Sequence, residues 1–136
     1  MRLFIAISRR YPRLKSLGPI LAAIPSDTIA LLGDNPGSEQ QLILTLYTHN
    51  PHVHQHVYHA DWQNNHSHAR QLRDYEMIDN CDEILAFTDG TDPWTGRDNK
   101  INKIILRAIA LSIPLQVYDR HAALLPAQPS LYEFSA

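Results

Sequence analysis

Five short strand-like stretches, four of them largely apolar and one alternating, recur along the chain with amphipathic stretches between them, and this pattern constrains the fold more than any other feature. Residues 3–7 (LFIAI), 28–32 (TIALL), 53–58 (VHQHVY), 83–87 (EILAF) and 114–118 (PLQVY) each have the length and composition of a strand. Between them lie helical patterns. Leu14, Leu17, Leu21 and Ile24 recur at steps of three and four, although Gly18-Pro19 interrupts that stretch. Leu42, Ile43, Leu46 and Tyr47 form a second stripe, starting near Pro36 or Ser38. A third helix is expected over 69–79, and Ile101, Ile104, Ile105, Ala108 and Ile109 mark the clearest one.

Strand and helix in strict alternation mean a parallel sheet, because each strand must return to the same end through a crossover that covers a sheet face. The chain is therefore expected to be α/β, a three-layer Rossmann-like fold with a mainly parallel five-stranded sheet over residues 1–119. Residues 120–136 carry Leu124, Leu125, Leu131, Tyr132 and Phe134 and read as a tail packed on the domain or on a partner. A length of 136 residues suits one domain with a single core.

Composition narrows the partners. The net charge of −2 gives no overall basic footprint for nucleic acid or an anionic membrane, although Arg2, Arg9, Arg10, Arg13 and Lys15 crowd the N-terminus. No run approaches the roughly 18 apolar residues of a membrane span. The apolar residues 1–7 are too short for a signal peptide, so a cytoplasmic location is expected. Cys81 is the lone cysteine, which fits a reducing compartment, and it reads as a small buried residue rather than a nucleophile.

In such a sheet the ligand lies beyond the carboxyl ends of the strands. Three loops leave that edge with suitable chemistry. Ser8-Arg9-Arg10 follows the first strand, and Arg9 suits bidentate phosphate binding. The stretch GDNPGSEQ follows the second, where Gly33 and Gly37 would let backbone N–H groups approach an anion and Ser38 could cap the next helix or donate to the ligand. The fourth strand opens into Asp89-Gly90 and then Gly96-Arg97. Asp61-Trp62 places a carboxylate beside a stacking ring. Arg73 is within reach of the same edge, or pairs with Asp74 or Glu76 on its own helix. Seven of the eight histidines fall between His49 and His68, and His52, His54 and His56 share one strand face. With no cysteine or second ligand cluster beside them, they read as the solvated face of an edge strand, and neither a metal nor a cofactor is expected.

These residues carry a resemblance. Ala60-Asp61-Trp62, Arg73-Asp74-Tyr75-Glu76-Met77 and Ala86-Phe87-Thr88-Asp89-Gly90, with Ser8-Arg9 upstream and Gly33 to Glu39 between, follow one another as they do in the SLOG superfamily. This is the Rossmann-like group that joins the DNA-processing protein A and LOG proteins, and the chain resembles its small single-domain bacterial and phage members of unknown function. The resemblance implies a nucleotide-related ligand and ligand contacts at Ser8, Arg9, Gly33, Gly37, Ser38, Asp61, Arg73, Asp89, Gly90, Gly96 and Arg97. It also has departures. Ile7 replaces a glycine, Asp74 an asparagine, Pro36 an arginine, and Gly96-Arg97 stands for Gly-Thr. If Gly96 takes the last glycine of the LOG motif, Lys100 stands where that family has its catalytic glutamate, and a lysine cannot do a carboxylate's work there.

The expected function is binding or sensing of a nucleotide-derived ligand. Two further classes stay open: a nucleoside-monophosphate N-glycosidase or phosphoribohydrolase using Asp89 or Asp61, and a module binding single-stranded DNA or protein. A homodimer is compatible with the apolar tail.

Overall fold

The computed structural model describes residues 1–89 and 99–126. Five strands form one sheet, β1 (Arg2–Ile7), β2 (Ile29–Gly33), β3 (His54–Tyr58), β4 (Glu83–Phe87) and β5 (Leu115–Tyr118). Their order is β3-β2-β1-β4-β5 and every pairing is parallel. The expected α/β sheet is thus present, and it is parallel throughout.

Alternation along the strands divides the core between the two faces. Leu3, Ile5 and Ile7 of β1, with Leu85 and Phe87 of β4, pack beneath α1 (Gly18–Ala22) and α2 (Ser38–His49). Phe4, Ala6, Ile84 and Ala86 point the other way, beneath α4 (Ala69–Asp79) and α5 (Asn99–Ala110). A short α3 (Trp62–Asn65) precedes α4 at the carboxyl edge of the sheet. Each fully buried aliphatic side chain contributes about 1.5–3 kcal/mol of transfer free energy. Layers filled on both faces therefore hold β1 and β4 firmly where they meet.

The expected helix over 12–24 is divided. Leu14–Leu17 makes a 3-10 turn and α1 starts afresh with Pro19 in its first turn. Proline has no N–H to donate within a helix but fits its first turn, so Gly18-Pro19 begins a helix rather than continuing one. Asn50 then anchors the far end of α1, donating from Nδ2 to the carbonyls of Leu21 (3.0 Å) and Ile24 (2.8 Å). In α2 the buried stripe is narrower than expected. Leu42 and Leu46 are buried, whereas Tyr47, about 100° further round the helix, is 67% exposed. Ile109 is likewise 43% exposed on the outer side of α5.

β3 lies at the sheet edge, with His54 and His56 exposed, in keeping with the solvated face read from the sequence. After β5 the chain turns back, and Leu125 N–H donates to the Val117 carbonyl at 2.8 Å. No described helix is long and apolar enough to cross a membrane. Cys81 is half-buried; its Sγ donates to the Ile78 carbonyl, and burial, with Asp82 nearby, pushes the thiol up to about 11. It is protonated at neutral pH and a poor nucleophile.

Candidate ligand cleft at the switch point

The chain runs outward from β1 through β2 to β3, then returns to the other side of β1 as β4. The loops after β1 and β4 therefore leave in opposite directions, and a crevice opens between them. The two strand ends are stitched together beneath it. Ser8 N–H donates to the Phe87 carbonyl (2.9 Å), and Asp89 N–H donates to Ser8 Oγ (3.2 Å). Above them is a cleft of about 650 Å³, a size typical of small-molecule sites. Ser8, Arg9 and Arg10 form one wall and Asp89 stands at the strand end. α4 supplies Arg70, Asp74 and Tyr75, α5 supplies Lys100 and Lys103, and Trp62 of α3 reaches the rim. The Arg70 guanidinium lies 5.7 Å from the Trp62 ring centroid.

A buried ionic cluster supports one side of the cleft. Arg73, 2% exposed, donates from Nη2 to both Glu39 oxygens (3.1 and 2.9 Å) and to Asp74 Oδ1 (3.0 Å). Lys100 Nζ reaches Glu39 Oε2 at 2.8 Å. A lysine in the first turn of a helix opposes the positive end of the helix dipole, and Glu39 offsets that cost. Burial alone would raise the pKa of Glu39, but Lys100 and Arg73 outweigh it and hold the carboxyl below its ordinary value. Asp74 is shifted the other way: its deeper burial outweighs the same two cations and raises it. Arg73 is stabilised in its charged form, because Asp74 and Glu39 overcome its desolvation. Further out, Asp34 pairs with His59 and lies 3.6 Å from Arg73 Nη1.

Gly33 makes this cluster possible. A Cβ there would lie 2.4 Å from Glu39 Oε2 and 2.8 Å from Arg73 Cζ, so only a glycine lets the ion pair cross the end of β2. Gly33→Ala is expected to cost about 1–3 kcal/mol through overpacking, read as a lower urea midpoint with an unchanged denaturant slope.

The sequence-derived site residues divide into three groups. Ser8, Arg9 and Asp89 line the cleft together, as expected. Gly33, Gly37, Ser38, Asp61 and Arg73 do not line it. The Ser38 hydroxyl, expected to face an anion, accepts from Tyr11 N–H (3.0 Å) and donates to the Arg9 carbonyl (2.8 Å), fastening the turn after β1 to α2. Gly37, at φ +98°, supplies the left-handed backbone that starts α2. Asp61 caps α3, accepting from Asn64 N–H (3.2 Å) and Asn64 Nδ2 (2.8 Å), and these bonds lower its pKa. Arg73 pairs with Asp74, one of the alternatives read from the sequence, but in the interior rather than on the helix surface. Gly90, Gly96 and Arg97, and the tail residues Leu131, Tyr132 and Phe134, lie outside the described residues.

Three residues of this region had no assigned role in the sequence reading: Arg70, Lys103 and Glu39. Lys100 and Lys103, three apart at the start of α5, carry a readable signal, since i and i+3 share a helix face. Glu39 gives none, because an acid in a helix first turn is ordinary.

No protein-family model, curated protein or solved structure matches this chain. The functional reading therefore rests on the fold and the cleft.

Proposed function

We propose that this protein binds a nucleotide or nucleotide-derived ligand in the cleft between the carboxyl ends of β1 and β4. The observation that carries the reading is the composition of that cleft. Arginines and lysines line it together with the Trp62 and Tyr75 rings, at the point where an open parallel sheet presents ligands. Arginines bind phosphate oxygens bidentately, and an exposed indole offers a face for a base. In this reading Arg9 and Arg70 hold phosphate, Trp62 stacks the base, and Ser8 and Asp89 meet the sugar. The test is the thermal midpoint of the purified protein across a panel of nucleotides, cyclic dinucleotides and nucleotide sugars. A ligand at 100 times its Kd adds about 2.7 kcal/mol, a rise of roughly 5 to 15 °C. A flat panel would sink the proposal.

One observation favours a hydrolytic second reading, cleavage of the N-glycosidic bond of a nucleoside monophosphate. Two carboxylates, Asp74 and Asp89, line the same cleft, and such a pair is what acid–base cleavage of a glycosidic bond uses. Free base released by the wild type and lost in Asp89→Asn would support it; no release from intact folded protein would exclude it.

A further inference from the structure

The charges around the cleft do not balance. Its described lining carries Arg9, Arg10, Arg70, Lys100 and Lys103 against Asp74 and Asp89. Lys100 is matched to Glu39 and Asp74 to Arg73, so the buried cluster neutralises itself. Among the described residues, what then faces the cleft is four cations, Arg9, Arg10, Arg70 and Lys103, against the carboxylate of Asp89. None of the four makes an ion pair among the described residues. They come from three elements, the turn after β1, α4 and α5, so they surround the cleft rather than crowd one point.

The Arg70 guanidinium is already placed beside the Trp62 ring. A monophosphate brings a charge of only about −1.5 to −2, short of the net three positive charges that these four cations leave beside Asp89 in the described lining.

We infer that the ligand carries at least two linked phosphates, as a nucleoside di- or triphosphate does, with Arg70 and Lys103 contacting the phosphates beyond the first. This rests on the nucleotide reading and specifies its substrate class. Asp74 and Glu39, turned toward Arg73 and Lys100, keep the cluster side of the cleft neutral, so the phosphate chain runs along the Arg9, Arg70 and Lys103 side.

The experiment is calorimetric titration of the full chain with AMP, ADP and ATP, with the guanine series, and with inorganic triphosphate, at two salt concentrations. Each added phosphate is expected to tighten Kd by about tenfold at low salt, with a steeper salt dependence for the longer ligands. In Lys103→Gln the step from mono- to triphosphate should shrink while monophosphate binding changes least, and in Arg70→Gln every phosphate ligand should weaken, the triphosphate most; Lys103 is exposed, so that variant tests the site without disturbing the core. Equal affinity along a series would overturn the polyphosphate inference and leave the nucleotide reading intact. Triphosphate binding with no nucleotide preference would overturn the nucleotide reading and keep the polyanion site. No binding by any probe would overturn both.

Discussion

Arg73→Met is expected to destabilise the protein by about 3–5 kcal/mol, read as a urea midpoint or a thermal midpoint lower by roughly 10 to 20 °C. Methionine fills most of the space, so the loss comes from charge. Glu39 and Asp74, both buried, would be left with Lys100 as their nearby cation among the described residues. A buried pair contributes little net stability while intact, because desolvation offsets attraction, but removing one partner strands the others. Glu39→Gln should cost less, since the amide oxygen can still accept from Arg73.

The same cluster predicts the shape of the acid limb. Glu39 has a depressed folded pKa, so its contribution is present above its ordinary value of 4.5 and is lost as pH falls through the lower folded value. Asp74 has a raised folded pKa, so the folded state takes up its proton first. Its ionisation costs stability above that folded pKa, and the cost is relieved as pH falls toward 3.8, its ordinary value. Stability should therefore hold or rise slightly on mild acidification and fall only at lower pH. In Asp74→Asn the mild rise should vanish, which a series of urea melts across the acid range would reveal.

Phe87→Ala is the second large effect, about 3–5 kcal/mol. The ring is fully buried, edge-on to Tyr11 at 5.9 Å and tilted against Tyr118 at 5.6 Å. Tyr11 in turn donates its hydroxyl to the Asp119 carbonyl at 2.5 Å. The cavity would therefore open on the α1–α2 face of the sheet, beneath the turn after β1 that carries Arg9 to the cleft. Ligand affinity should weaken along with stability through the loosened turn, whereas Leu46→Ala, equally buried in the same layer but toward the far end of α2, should lower stability and leave affinity nearly unchanged.

Four strands were legible because each is a short, largely apolar run, and β3 was legible from its alternation, with exposed histidines in keeping with its edge position. Glu39 and Arg73 were not legible as a pair. Arg73 has Asp74 beside it and Glu76 three positions on, both acceptable partners on a helix, and nothing local says that it instead crosses the end of β2 to reach Glu39. That contact exists only once β2 and α4 are stacked. Ser38 shows the same limit. A serine opening a helix after a glycine suits an anion as well as a neighbouring backbone, and tertiary packing chose the backbone. That Ser8, Arg9 and Asp89 lie together at the sheet edge was legible because the end of a strand is itself a sequence-level position.

The central pairing of the sheet also fixes how the chain can assemble. β1 is joined on one side to β2 and on the other to β4, whose partner residues lie some 80 positions away, as the bond from Arg2 N–H to Asp82 illustrates. Until β4 exists, one edge of β1 has no strand beside it and the two loops of the cleft are apart. Closing so long a segment costs entropy before any contact repays it, which places such a topology among the slower folders. During synthesis the first three strands must wait for the fourth, with an apolar edge uncovered in the meantime. Substitutions along the β1–β4 seam should therefore slow folding itself, while those at the β3 edge should mainly hasten unfolding.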